Sequence, residues 1–299
     1  AASMAAPSLF FTTGIAVAFP RSPMLSAAMA YEITANTGGR FRLGLGSQVK
    51  AHVERRYSAD FDRPAARMRD YVEAVKAAWR AFNREERLDH HGEFYEMTLL
   101  PPDWAPRRHG YEMKVDISAV GPMMTKVAAQ VADGVHVHPL HSMAYLENRL
   151  LPDLAAGAGE VRRDPNEVDL IVPVFACPGD TPEERAADVA TARRQIAFYG
   201  STPNYAFQFD DLGFDGTTGR IRAKFKSGEL DAIGDVITDE MLDHFAILAP
   251  WDELADALIS RYAGRAARVV MYLGEHRMRT DPQHLARWGE VARAVQEAP

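Results

Sequence analysis

A strand that runs into glycine and proline directly before a helix is a candidate site for binding an anion. The segment "ISAVGPMMTKVAAQVADG" predicts a strand to Ala119, a turn at Val120 and Gly121, and a helix opened by Pro122 and Met123. Gly121 would let a ligand approach the backbone. Free amides and the helix dipole at such a helix start favour a phosphate. A plain strand–helix turn is the alternative, because the segment matches neither G-x-G-x-x-G nor a P-loop.

Three histidines stand close together in "GVHVHPLHS", at positions 136, 138 and 141. In a strand, His136 and His138 face the same side. No acidic or cysteine partner stands at a familiar metal-ligand spacing, so hydrogen bonding at a strand end is favoured over metal binding. His138 is a candidate contact for a substrate or a cofactor ring. On the preceding strand, Lys114 and Asp116 share a face and must be paired or hydrated if that face is interior.

Polar residues also follow the predicted strand 41–45 in "GGRFRLGLGSQVKAHVERRY". Gln48 and His52 would lie beyond its carboxyl end, where parallel α/β folds gather binding residues. The segment is either a solvated loop and helix or the rim of a binding site.

Aromatic and polar side chains crowd the turn in "RRQIAFYGSTPNYAFQF", where a helix ends at Tyr199 and Gly200. Helical and irregular pieces without a clear strand are predicted from 201 to 249. An excursion of this length typically forms a lid or a pocket wall.

Short apolar strands alternate with helices along the chain, which indicates a parallel sheet covered on both faces. A doubly wound open sheet and a closed eight-stranded barrel are both compatible with this pattern. About six strand–helix units are visible, so a barrel would lack its first two units, and no initiator methionine begins the chain. The predicted strands are 9–18, 41–45, 113–119, 135–137, 168–176 and a buried final strand at 267–274.

Composition restricts the classes of function. The 299 residues carry a net charge of -7, which argues against a nucleic-acid or anionic-membrane surface. The single cysteine, Cys177, excludes an intrachain disulfide and a cysteine zinc site, and it fits a reducing cytoplasm. No G-x-S-x-G elbow supports a serine hydrolase.

Several segments together resemble the luciferase-like monooxygenase superfamily, the bacterial luciferase type of TIM barrel. The nearest resemblance is to its coenzyme F420-dependent oxidoreductase branch, the methylenetetrahydromethanopterin reductase-like proteins. The resemblance extends over nearly the whole chain and is carried by "TTGIAVAFPRSP", "TGGRFRLGLGSQVKAHVERRYS", "PAARMRDYV", "GEFY", "AVGPMMTKVAAQVADGVHVHP", "RRQIAFYGSTPNY" and "ARVVMYLG".

The resemblance implies a single (β/α)8 TIM-barrel domain over 1–299, with a lid at 200–249 before the last strand. It places the cofactor at the carboxyl ends of the strands. A bulge with a non-proline cis peptide would fall at Gly14 and Ile15, and the phosphate-binding turn at Ala119–Met123. With Gln48, these are the expected cofactor-binding residues.

The activity implied is hydride transfer between coenzyme F420 and a small organic substrate. An FMN-dependent monooxygenase on the same barrel, or a cofactor-free relative without activity, are the alternatives. The resemblance also implies a homodimer. His52, His138 and Tyr199 are the candidate substrate or ring contacts.

Overall fold

The structure is a computed structural model that describes residues 2–6 and 8–298, so Ala1, Pro7 and Pro299 lie outside the described part. The chain forms two compact units. Unit 1 comprises Ala1–His136 and Pro152–Asp169, and unit 2 comprises Val137–Leu151 and Leu170–Pro299. Neither unit is one continuous stretch of sequence.

Helices and strands alternate along the described residues, as the apolar runs predict. The strands are β1 (Phe11–Thr12), β2 (Ala16–Val17), β3 (Phe41–Gly46), β4 (His90–His91), β5 (Glu96–Met97), β6 (Val115–Ala119), β7 (Gly134–Val137), β8 (Asp169–Pro178), β9 (Ala246–Ala249) and β10 (Arg268–Met271). The α-helices are α1 (Ala2–Ala5), α2 (Pro23–Asn36), α3 (Lys50–Arg55), α4 (Pro64–Phe82), α5 (Pro122–Val131), α6 (Met143–Tyr145), α7 (Leu151–Glu160), α8 (Pro182–Gly200), α9 (Phe207–Asp210), α10 (Thr217–Ser227), α11 (Asp239–Phe245), α12 (Leu254–Tyr262), α13 (Glu275–Thr280) and α14 (Pro282–Glu297).

The sheet of unit 1 is parallel and contains a bulge at its first strand. β1 and β2 both pair with β3, and β3 pairs with β6. Thr12 lies opposite Arg42, whereas Ala16 lies opposite Leu45. Residues 13–15 therefore face only two residues of β3, which is one residue too many for a regular ladder. The prediction of one continuous strand over 9–18 is wrong, because an inserted residue leaves the apolar pattern unchanged.

Two glycines of β3 make room for this bulge. A Cβ on Gly44 would lie 1.9 Å from the carbonyl oxygen of Thr13, and one on Gly46 would lie 2.6 Å from Cδ1 of Ile15. Thr13 Oγ1 donates to the carbonyl of Gly44 at 2.7 Å, and the Gly44 amide donates back to that hydroxyl at 2.9 Å. The "GLG" run of β3 is thus required by the shape of the neighbouring strand.

Helices α2 and α4 pack against each other. Ser22 caps α2 by accepting from the Met24 amide at 3.2 Å. The Trp79 indole donates to the carbonyl of Ala27 at 3.0 Å, and the Tyr71 hydroxyl lies 2.6 Å from that of Ser26. These bonds satisfy the polar atoms of large buried side chains.

Unit 2 is built on the long strand β8, which pairs in parallel with β10 through residues 171–174 and with β9 through residues 175–178. A cluster of buried side chains from β8, α8, α9, α10 and α11 forms its core, with Phe175, Ile196, Phe209 and Phe245 among the largest members. Burial of these apolar surfaces is the main stabilising contribution in this unit.

Two sequence-based expectations for unit 2 are wrong. A strand, β9, lies within the stretch 201–249, where none is predicted. Its four residues directly follow α11 and continue that helix's apolar pattern, so no separate signal marks them. The final strand β10 is not buried, since Arg268 is exposed and Val270 is 41% exposed.

Candidate functional site

The turn Ala119–Met123 is open where the sequence predicts anion binding. Ala119 is buried at the end of β6, whereas Pro122 and Met123 are exposed at the start of α5. Gly121 is the N-cap residue, and no side chain caps the helix. A Cβ built on Gly121 would meet no atom within 4 Å. The turn is therefore not sealed beneath neighbouring side chains, and it lies at the carboxyl end of a parallel strand.

The bulge between β1 and β2 contains the cis peptide bond expected between Gly14 and Ile15. Gly14 is exposed, and no atom lies within 4 Å of the position that its Cβ would take. The Ile15 side chain is held against Gly46, as the close approach to that glycine shows. The backbone at Gly14 is thus accessible, while Ile15 is fixed by packing.

Gln48 follows the carboxyl end of β3 and adopts a left-handed backbone conformation, with φ 61°. Its side-chain carbonyl accepts from the Val49 amide at 3.0 Å, at the start of α3. Because β2, β3 and β6 are neighbouring parallel strands, Gln48 and the turn Ala119–Met123 extend from the same edge of the sheet. His52 lies exposed on α3 and makes no side-chain hydrogen bond within the described residues.

A buried ionic cluster lies in the interior of unit 1. The Arg42 guanidinium binds both carboxylate oxygens of Asp116, with Nε 2.9 Å from Oδ2 and Nη2 2.5 Å from Oδ1. Its Nη1 donates to Asp169 Oδ2 at 2.7 Å. His136 Nε2 lies 3.6 Å from Asp116 Oδ2 and 3.4 Å from the Thr12 hydroxyl.

Burial disfavours the charge of Asp116, but the hydrogen bonds and charges of Arg42 and His136 hold the pKa of this carboxyl below its ordinary value. The pairing expected for Asp116 is thus present, with a partner that the sequence analysis did not name. Lys114 precedes β6, and its Nζ lies 3.8 Å from a Glu112 carboxylate oxygen, so it does not share in the cluster.

Unit 2 places an aromatic cluster around His138, directly after β7. The His138 ring lies 4.7 Å from the Tyr199 ring and 4.7 Å from the Tyr205 ring, measured between centroids. The hydroxyls of Tyr199 and Tyr272 hydrogen-bond each other. Burial, followed by the hydrogen bond with Tyr272, raises the pKa of Tyr199, and burial raises the pKa of Tyr205. The sequence analysis names His138 and Tyr199 as candidates but not Tyr205 or Tyr272, although the latter two belong to motifs of the resemblance.

The protonation of the two neighbouring histidines follows from their partners. The Leu140 amide donates to His138 Nδ1 at 3.0 Å, so in the neutral ring the proton is on Nε2. His141 Nδ1 lies 2.9 Å from the carbonyl of His138 and must donate, which leaves Nε2 to accept from the Tyr262 hydroxyl at 3.1 Å. Burial is the main cause that lowers the pKa of each histidine to about 4.

Within the described part of the chain, no helix combines the length and apolar character needed to cross a membrane. Among the same residues, histidine, cysteine and acidic side chains form no group of three or more that could hold a metal ion.

A family model described as luciferase-like monooxygenase matches residues 1–268 of the chain. The chain belongs to this family. An uncharacterized protein of Mycobacterium tuberculosis is 38% identical over 259 residues, which cover 86% of this chain and 76% of the relative. The 5,10-methylenetetrahydromethanopterin reductase of Archaeoglobus fulgidus is 23% identical over 248 residues, covering 82% of this chain and 71% of that enzyme.

Among solved structures, the coenzyme F420-dependent tetrahydromethanopterin reductase of Methanopyrus kandleri superposes with a TM-score of 0.68 at 18% identity. The match covers 87% of this chain and 76% of that chain. The likeness shows the fold, which is the parallel α/β type of TIM-barrel proteins expected from the sequence. The family is one of oxidoreductases and monooxygenases.

Proposed function

We propose that this protein is an F420-dependent oxidoreductase that transfers a hydride between the deazaflavin cofactor and an organic substrate. The observation that supports this most directly is the open turn at the carboxyl end of β6, where Gly121 leaves the start of α5 uncovered. The Archaeoglobus fulgidus relative is a 5,10-methylenetetrahydromethanopterin reductase, and the similar solved structure from Methanopyrus kandleri is a coenzyme F420-dependent tetrahydromethanopterin reductase.

The residues of unit 1 fit an anionic cofactor tail. The amides at the start of α5 have no side-chain cap, and the helix dipole favours negative charge at this end. Pro122 has no backbone N–H group, so the donors would be the backbone N–H groups of Gly121, of Met123 and of the residue after Met123. No Cβ at Gly121 obstructs the backbone. Gly14 and Ile15, in the bulge between β1 and β2, and Gln48, just after β3, would contact the ring, since β1 and β2 pair with β3 and β3 pairs with β6.

When bound, the deazaflavin supplies or accepts the hydride. The chain's own contribution is to bind and to orient. Ile15, fixed by its packing on Gly46, offers an apolar surface against which a flat ring can rest. Within unit 2, the aromatic cluster of His138, Tyr199 and Tyr205 offers a surface suited to an organic substrate. The excursion 200–249 would act as a lid over the bound substrate.

An FMN-dependent monooxygenase is the second candidate, because the family is described as luciferase-like monooxygenases. Both cofactors carry a phosphate that the same turn could bind, so the turn does not discriminate between them. A cofactor-free protein without enzymatic activity is the third candidate. We further expect a cytoplasmic homodimer and a single domain.

Titration of the purified chain with oxidised F420 and with FMN, each followed by absorbance and fluorescence, tests the proposal. Binding of F420 with at least tenfold higher affinity than FMN is expected. Oxygen consumption in the presence of a flavin reductase and FMN would instead support the monooxygenase. Binding of neither cofactor would overturn both enzyme proposals.

A further inference from the structure

We propose that the aromatic cluster around His138 binds a neutral, planar compound through its carbonyl oxygen, and that it excludes carboxylates and phosphates. This inference deepens the proposed function, because it takes the cluster as the place of the organic substrate. The cluster presents hydrogen-bond donors, and no charged side chain contacts its rings among the described residues.

The first donor is the Nε2–H of His138. Its Nδ1 is already engaged by the Leu140 amide, which fixes the proton of the neutral ring on Nε2. Nε2 has no hydrogen-bond partner among the described residues, and it does not belong to the polar atoms that are sealed from solvent. His138 therefore presents an uncommitted neutral donor beside two tyrosine rings.

The second donor is the hydroxyl of Tyr205. It makes no hydrogen bond with the described part of the chain, and it too is absent from the sealed atoms. The Tyr199 and Tyr272 hydroxyls are already hydrogen-bonded to each other. A carbonyl oxygen has two lone pairs and can accept from two such donors.

No charged side chain contacts these donors within the described residues. His138, Tyr199 and Tyr205 form no hydrogen bond or ion pair with an Arg, Lys, Asp or Glu side chain there; their side-chain partners are the Leu140 amide, the Tyr272 hydroxyl and one another's rings. Burial lowers the pKa of His138 and of the neighbouring His141 to about 4, so both rings are neutral at pH 7. No Arg or Lys side chain faces these rings among the described aromatic–cation contacts.

A neutral site of this kind discriminates by charge. An anion that enters it loses hydration and gains no counter-charge, which is costly. A neutral carbonyl compound loses less hydration and recovers it through the two donors, while the tyrosine and histidine rings cover its flat faces. The same donors suit a carbonyl better than an alkane, because a ligand that covers a donor without accepting its hydrogen bond takes it from water uncompensated.

The test uses para-acetylbenzamide and para-acetylbenzoate, which have nearly the same shape and differ in charge. Their dissociation constants are measured by saturation-transfer NMR on the full chain without cofactor. The neutral amide is expected to bind on the order of tenfold more tightly than the carboxylate.

Variants that each remove one hydrogen-bond donor test the role of that donor, and a folding control accompanies them. His138→Asn keeps an acceptor for the Leu140 amide but lacks the Nε2 donor, and Tyr205→Phe keeps the ring. Each should weaken para-acetylbenzamide binding about threefold to tenfold. His91→Asn, at an exposed histidine of β4, should leave it unchanged. Circular dichroism checks that all variants are folded.

Three outcomes would overturn the inference: equal or tighter binding of the carboxylate, unchanged affinity in both donor variants, or binding of neither compound. Because these measurements contain no cofactor, a failure of F420 to bind in the separate titration would count against the proposed function alone.

Discussion

Arg42 and Asp116 form a two-pronged ion pair in the interior of unit 1, with Arg42 Nε 2.9 Å from Asp116 Oδ2 and Nη2 2.5 Å from Oδ1. The residues are 74 positions apart, on adjacent strands β3 and β6. Asp116 is fully buried and Arg42 is 8% exposed. Both charges are therefore removed from water, and each depends on the other for compensation.

Removing one partner of this pair should destabilise the protein strongly. Arg42→Met leaves the Asp116 carboxylate buried without its main counter-charge, so we expect a loss of about 3–5 kcal/mol of unfolding free energy. The double variant Arg42→Met/Asp116→Leu should recover part of that loss. Urea denaturation measures both.

The matched control for this prediction is Arg80→Met, which removes an ion pair with Glu86 whose side chains are about half exposed. It should cost less than about 1 kcal/mol. Equal losses in Arg42→Met and Arg80→Met would contradict a special role for the buried pair.

The ion pair also illustrates what the sequence could and could not predict. Asp116 stands out as a charge inside an apolar strand, so its need for a partner was predictable. Which side chain supplies that partner depends on the register between β3 and β6, and no local pattern reveals a register between distant strands. The order of helices and strands was readable because it depends on local periodicity.

The candidate site shows the same division. The turn at Gly121 and the position of Gly14 were found from local residues and from motifs. Tyr272 was missed because its pairing with Tyr199 joins the residue after β10 to the end of α8, which are far apart in sequence. Hydrophobic periodicity did not reveal the bulge at 13–15, although Gly44 and Gly46 are the glycines that make room for it.

Gly44 should tolerate no side chain. A methyl group there would lie 1.9 Å from the Thr13 carbonyl oxygen and 2.7 Å from His136 Nε2, and the first of these atoms belongs to the backbone. Gly44→Ala is expected to lose at least about 3 kcal/mol of unfolding free energy or to prevent folding. The control Gly121→Ala, with no atom within 4 Å, should change stability by less than about 0.5 kcal/mol. A stable Gly44→Ala protein with unchanged denaturation midpoint would refute the packing described for the bulge.

His141 should make stability depend on pH below neutrality. Burial lowers its pKa to about 4 in the folded chain, against 6.5 as the ordinary value. Between these values the unfolded chain binds more protons, so stability is complete above pH 6.5 and falls as the pH drops toward 4. The difference between the two pKa values corresponds to about 3 kcal/mol of unfolding free energy.

Urea denaturation of wild type and His141→Gln at several pH values between 7.5 and 5 measures this effect. The variant starts from a lower stability, because it loses the bonds to the His138 carbonyl and the Tyr262 hydroxyl. Its unfolding free energy should nevertheless decline less steeply with falling pH, and the two slopes should differ by up to the contribution of one bound proton. Parallel curves for the two proteins would show that His141 does not titrate as described.

Gly121→Trp should abolish cofactor binding while the chain stays folded. The φ of Gly121 is -93°, which any residue can adopt, and the space beyond its Cα is open. The indole would cover the start of α5, so an anionic tail could no longer reach the amides there. We expect a loss of at least tenfold in affinity for F420, or for FMN if that is the cofactor, measured by fluorescence titration. Gly159→Trp, at another uncrowded glycine of unit 1, controls for the added bulk. An affinity that Gly121→Trp leaves unchanged would remove the turn from the proposed site, and with it the main support for the proposed function.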